Sequence, residues 1–144
     1  TIKIINHIKL IKDFYKKAFK KNPKIAITGL NPHCESNYKT SEEDRIIKPA
    51  INILIKKKYK VSGPFAADTI FTEDQSKKYD IIIGMYHDQV LTPIKTLFGF
   101  NAINITLGLP FLRISPDHGP NISMLGKNLS NPKSLIEALK FLDK

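Results

Sequence analysis

Two histidines open the chemical reading of this 144-residue chain: His33 and His87. Each follows an apolar run by a few residues, in a stretch rich in other polar side chains. Neutral imidazole is a good ligand for zinc and similar divalent ions. The two are far apart in sequence and form no local metal motif of the His-Glu-x-x-His kind, so a structural or solvent-exposed role stands beside ligation for each. Three acids, Asp68, Asp88 and Asp117, also follow apolar segments. Any of them could orient a histidine, move a proton or bind substrate, and a helix-cap or turn role is the plain alternative. Asp88 adjoins His87 and Asp117 adjoins His118, but neighbours on extended backbone point to opposite faces, so pairing within either dipeptide is not assured.

A second set suits an anion. Lys95 offers a point charge, Asn104 an amide and Arg113 a planar fork. Only two arginines stand among the 23 basic residues. A position that carries Arg in so lysine-rich a chain suggests two-point recognition of carboxylate or phosphate. For Lys95 the competing reading is a solvated surface charge. The lone Cys34 beside His33 lacks an evident base and reads as incidental, and it cannot form an internal disulfide, which fits a reducing cytoplasm. There is no Gly-x-Gly-x-x-Gly and no Walker motif, so any dinucleotide site is of another kind.

The elements that must position these residues alternate. Ile4, Ile8, Ile11, Tyr15 and Ala18 mark a helix over residues 3–20, ended by Asn22-Pro23. Its basic outer face would also suit a membrane surface, but the neighbouring segments offer a core to pack on. Residues 25–28 read as a buried strand, 61–65 as a second, 80–85 as the clearest and 102–106 as another. Thr40 with Glu43 forms a capping box for a helix that Pro49 kinks or restarts, and residues 132–142 close as a helix. This is an α/β layered fold with a largely parallel sheet flanked by helices. Ligands in such sheets lie beyond the carboxyl ends of the strands, where both histidines fall. No internal domain boundary is evident across residues 1–144.

The net charge of +10 raises a nucleic-acid reading. Lysines spread along the chain without interleaved stacking aromatics argue against it. No apolar run approaches the roughly 20 residues a bilayer crossing needs, so neither nucleic acid nor membrane is expected as a partner.

Four ordered segments carry the reading further: Gly29-Leu-Asn-Pro-His33, Gly63-Pro-Phe-Ala-Ala-Asp-Thr69, Met85-Tyr-His-Asp-Gln89 and Asn104-Ile-Thr-Leu-Gly-Leu-Pro-Phe111. With Arg113, Ser115 and Asp117-His-Gly119 they resemble the signatures of the 4-hydroxythreonine-4-phosphate dehydrogenase family. The resemblance spans about residues 24–144 and implies the C-terminal part of such an enzyme, an incomplete isocitrate/isopropylmalate dehydrogenase-like fold with its N-terminal half absent. It implies a homodimer with the site at the subunit interface. A divalent metal (zinc, magnesium or cobalt) would be held by three histidines, two of them matching His33 and His87. Lys95, Asn104 and Arg113 match the family's contacts to a small phosphorylated substrate. NAD or NADP would oxidise 4-phosphohydroxy-L-threonine, and loss of carbon dioxide would give 3-amino-2-oxopropyl phosphate for pyridoxal phosphate synthesis.

The third metal histidine and a substrate-binding His-Thr pair lie upstream in the family. Neither His7 nor His118 substitutes for them, and the family commonly has Ala where Cys34 stands. The resemblance therefore implies activity for a full-length chain and none for this fragment alone. It names no general base, leaving Asp68, Asp88 and Asp117 as candidates. A sister dehydrogenase acting on another phosphorylated hydroxy acid or a cyclic diol, and a non-enzymatic fragment binding metal or anion, are the alternatives.

Overall fold

A computed structural model describes residues 1–34, 40–119 and 122–143. The chain divides into two compact units, residues 1–91 and 92–144. In the first, three parallel strands lie in the order β2-β1-β3: β1 (Ile25–Thr28), β2 (Val61–Phe65) and β3 (Ile81–Ile83). Every residue of β1 is buried, which is why Ile-Ala-Ile-Thr carries no polar alternation. The core gathers Ile8, Ile25, Ile27, Ile47, Ile51, Leu54 and Val61.

Helix α1 (Ile2–Phe19) contributes Ile8, wholly buried, with Ile4 and Ile5 partly buried against the same cluster. It is therefore a core-packing helix, as its apolar stripe predicts. It ends at Lys20 in the left-handed conformation, and Asp80 anchors the turn that follows. The Asp80 carboxylate accepts from Lys21 Nζ and the Lys24 N–H, both at 2.8 Å, and from the Tyr15 hydroxyl at 3.2 Å.

Pro49 restarts rather than kinks its helix. A π-helical turn over Glu43–Ile47 leads into α2 (Lys48–Lys56), with Pro49 in the first turn, where its missing N–H costs nothing. The expected capping box is not what Glu43 makes. Ser41 Oγ accepts the Asp44 N–H at 3.2 Å, and Glu43 turns inward to the loop after β1. Gly63 is required where β2 crosses Ile27. Its φ is +137°, and a Cβ there would stand 2.4 Å from the Ile27 carbonyl oxygen. Two short helices, α3 (Ala67–Ile70) and α4 (Glu73–Ser76), link β2 to β3.

Helix α5 (His87–Phe98) is absent from the elements that the sequence pattern marks, and Pro93 lies inside it. In the second unit, β4 (Ile103–Thr106) and β5 (Arg113–Pro116) form an antiparallel pair, so the parallel sheet does not extend to β4. Helix α6 (Lys133–Leu142) packs on this pair, with Ser134 and Ala138 buried. Ser134 Oγ donates to the Ala102 carbonyl and accepts the Asp117 N–H. Among the described residues no helix is long and apolar enough to cross a membrane.

Candidate functional site

The carboxyl ends of β2, β1 and β3 share one edge of the parallel sheet. From β1 the chain enters the turn that carries His33. From β2 it enters α3, which carries Asp68. From β3 it passes Gly84, Met85 and Tyr86 and starts α5 at His87. Strands paired in one sheet lie about 4.8 Å apart, so β1 and β3 deliver the two histidine segments from adjacent positions.

Two residues that sequence reading passed over hold these segments. Gln89 is 6% exposed. Its Oε1 accepts the Met85 N–H at 2.7 Å and the Thr28 hydroxyl at 2.6 Å, and its Nε2 donates to the Gly29 carbonyl at 2.7 Å. That arrangement fixes the amide orientation, because a peptide N–H can only donate and a carbonyl can only accept. Glu43 is 1% exposed, and its Oε1 accepts the N–H groups of Leu30 (2.9 Å) and Asn31 (2.6 Å). Asn31 Oδ1 in turn accepts the His33 N–H at 3.0 Å. The available signal was Glu43's place three residues after Thr40, which propensity rules assign to a cap.

His87 and Asp88 do pair: Nδ1 lies 2.7 Å from Asp88 Oδ1. They sit in the first turn of a helix rather than on extended backbone. An Nδ1–H donating to Asp88 leaves the Nε2 lone pair as the free donor of the ring. Both side chains are exposed, as is His33. Asp68 is also exposed and accepts the Thr69 hydroxyl at 2.9 Å. Cys34 is different. Burial pushes its thiol up, the Gly29 backbone hydrogen bond opposes this, and the Glu43 and Asp68 charges add to the rise. A raised thiol is a poor nucleophile at neutral pH. Among the described residues, no group of three or more His, Cys, Asp and Glu side chains is placed to hold a metal. The donor types at the strand edge suit a divalent metal, with two imidazoles supplying part of a set.

The second unit brings together two of the three expected anion contacts. Asn104 lies opposite Ser115, and Thr106 opposite Arg113. Cross-strand partners and residues two apart share a face, so Asn104, Thr106, Arg113 and Ser115 form one polar face of the β4-β5 pair. Arg113 Nη1 donates to Thr106 Oγ1 at 2.8 Å, and Asn104 and Arg113 are both exposed. Lys95 has another engagement. Its Nζ donates to the Asp117 carbonyl at 2.6 Å and stands 3.4 Å from Asp117 Oδ2, a nearly buried carboxylate oxygen without a hydrogen bond. His118 stacks edge-on to Phe100 beside a cavity of about 610 Å³ lined also by Met124, Leu125 and Asn131. That volume is in the range of small-molecule pockets.

Known proteins resemble this arrangement. The model of the family described as "Pyridoxal phosphate biosynthetic protein PdxA" matches residues 1–142. A 4-hydroxythreonine-4-phosphate dehydrogenase of Sulfurihydrogenibium sp. (strain YO3AOP1) is 46% identical over 140 residues, covering 96% of this chain and 43% of that one. A protein of Oceanobacillus iheyensis, provisionally named a D-threonate 4-phosphate dehydrogenase, is 44% identical over 121 residues, 83% of this chain and 36% of its own. The crystal structure of 4-hydroxythreonine-4-phosphate dehydrogenase from Klebsiella pneumoniae superposes with a TM-score of 0.78 at 33% identity, covering 95% of this chain and 42% of that chain. This chain thus spans about two fifths of the length of the relatives it matches.

Proposed function

This chain belongs to the PdxA family of pyridoxal phosphate biosynthetic proteins, and from that premise we propose that it forms part of a metal- and NAD- or NADP-dependent dehydrogenase. The substrate of the whole protein is 4-phosphohydroxy-L-threonine. A bound nicotinamide would supply the hydride acceptor for its secondary alcohol carbon, and the hydroxyl proton would pass to a base or solvent. The β-keto acid so formed loses carbon dioxide, and the carbanion takes up a proton to give 3-amino-2-oxopropyl phosphate. The observation that carries the reading is the delivery of His33 and His87 from adjacent parallel strand ends, with Gln89 bonded to both exits.

His33 and His87 would hold the divalent metal (zinc, magnesium or cobalt), with Asp88 setting the His87 tautomer. Bound there, such an ion supplies Lewis acidity toward the alcohol and the charge that develops in decarboxylation. Arg113 and Asn104 present a fork and an amide on one face for phosphate or carboxylate, which turns binding of a remote group into orientation of the reacting carbon. Lys95 adds positive charge, tempered by Asp117. Of the three candidate bases, Asp88 is engaged by His87 and Asp117 by Lys95. That favours Asp68, whose carboxylate accepts the neighbouring Thr69 hydroxyl.

The whole protein would act as a cytoplasmic homodimer with its site at the subunit interface. A span of two fifths of the relatives' length, with two imidazoles in place, is expected to be inactive alone. A sister reaction is the second reading, favoured by the likeness to the Oceanobacillus iheyensis protein. The test is an absorbance assay for reduced cofactor, using the whole protein with zinc or magnesium. Turnover of 4-phosphohydroxythreonine is expected. Turnover of D-threonate 4-phosphate instead would establish the sister reading, and turnover of neither would leave a binding role only.

A further inference from the structure

We propose that Gln89 is a positioning residue that fixes the His33 and His87 segments relative to one another. The inference rests on the reading of those histidines as metal ligands. The bonds of Gln89 reach both exits: Gly29 at the end of β1, four residues before His33, and Met85 after β3, two residues before His87. A third bond comes from Thr28. Its single hydroxyl proton goes to Gln89 Oε1 at 2.6 Å, the Ile83 carbonyl at 3.2 Å being the longer alternative.

The His33 side of this linkage is stiff. The turn folds back tightly enough that a Cβ on Gly29 would stand 2.5 Å from Cys34 Sγ. Glu43 holds the next two N–H groups, and Asn31 holds the N–H of His33 itself. A displacement at the Gly29 carbonyl is therefore passed along the turn. On the other side, Gly84 has no room for a Cβ, which would lie 2.5 Å from Val90 Cγ1, so the β3 exit is packed against the first turn of α5. Burying an amide costs free energy unless all its polar atoms are paired, and here each is paired to backbone or to a residue of these two exits. An apolar side chain of the same length would fill the space and lose the connection.

The test titrates zinc or cobalt into the whole protein against a competing chelator, with urea unfolding of each variant as a parallel measurement. Gln89→Met keeps the volume and removes all three bonds. It should weaken the metal about 10- to 100-fold, the range for lost supporting contacts around a metal. Thr28→Val removes one bond, should weaken it about threefold, and carries the test alone if Gln89→Met does not fold. Ile51→Val, a core truncation in α2, should lower the urea midpoint and leave the metal constant within about twofold. Metal constants for both loop variants within about twofold of the parent, or an Ile51→Val loss as large as theirs, would overturn the inference. His33→Ala and His87→Ala separate it from its premise. If they abolish binding while Gln89→Met does not alter it, only the role of Gln89 falls. If neither weakens binding, the metal reading falls and takes this one with it.

Discussion

Replacing Glu43 should cost more stability than any other polar substitution in the first unit. The side chain is 1% exposed and accepts two backbone N–H groups at 2.9 and 2.6 Å. Hydrogen bonds to a charged acceptor contribute about 1.5–3 kcal/mol each, so two amount to roughly 3–6 kcal/mol. Against this stands the cost of holding a carboxylate away from water, which Glu43→Ala relieves. The buried methylenes it also removes are worth about 0.8 kcal/mol apiece. The expected net loss for Glu43→Ala is about 3 kcal/mol. Glu43→Gln keeps the shape and one acceptor oxygen, exchanging charged bonds for neutral ones, and should lose about 1–2 kcal/mol. Urea unfolding followed by circular dichroism measures both. With a slope of about 1.5 kcal/mol/M the Ala variant should shift the midpoint by about 2 M. Midpoints within about 0.3 M of the parent for both variants would mean that the loop N–H groups find other partners, and that Glu43 does not hold the His33 turn.

Gly63→Ala should destabilise by about 2–4 kcal/mol in the same assay, because both the φ of +137° and the Ile27 carbonyl at 2.4 Å oppose a Cβ. For Asp80 the sign is fixed by its partners. The Lys21 hydrogen bond first, then the Lys24 N–H, hold its carboxyl below the ordinary range. Its contribution is thus present above the unfolded value of about 4 and lost as pH falls through the folded one. Asp80→Asn should lower stability at pH 7 by no more than about 1 kcal/mol, Lys21 being exposed, and should converge with the parent in strong acid. A gap that widened toward low pH would refute this. Arg113→Lys in the whole protein should raise KM for the phosphorylated substrate about 10- to 100-fold with unchanged unfolding, since a point charge does not replace the fork. Unchanged kinetics would remove Arg113 from the site.

Strands β1 and β3 were legible as unbroken Ile-Ala-Ile and Ile-Ile-Ile runs, the first wholly buried and the second partly so. The histidines were legible as residues just past those runs, and the family motifs placed the whole set in order. What escaped was decided by tertiary contact. Helix α5 has a proline inside it and only one buried residue, Gln89, so its apolar periodicity is faint. Glu43 obeys a local rule for caps and follows a distant one, because two N–H groups thirteen and twelve residues away bind it more strongly than its own helix end. The β4-β5 pairing was missed because Arg113–Pro116 contains a proline and a charge. Both are tolerated there: Pro116 is the last residue of the strand and Arg113 is exposed.

The three acids that the sequence left equivalent are separated by their partners. Asp88 faces the histidine proposed as a ligand, and in that place its carboxylate would orient the imidazole rather than accept the substrate's proton. Asp117 has one oxygen nearly dry and opposite Lys95, whose Nζ also donates to the Asp117 carbonyl, so its charge is committed to that lysine. Among the described residues Asp68 has no salt-bridge partner, and it is exposed. It follows the carboxyl end of β2, beside the strand that delivers His33, and its charge is felt at Cys34, the residue next to that histidine. A proton acceptor must reach solvent to be recharged between turnovers, and among the described residues Asp68 is exposed with neither a histidine nor a lysine paired to it. The proposed division of labour rests on where each acid's charge is already committed. Asp68→Asn should accordingly lower turnover while sparing metal affinity, and Asp88→Asn should do the reverse in greater part.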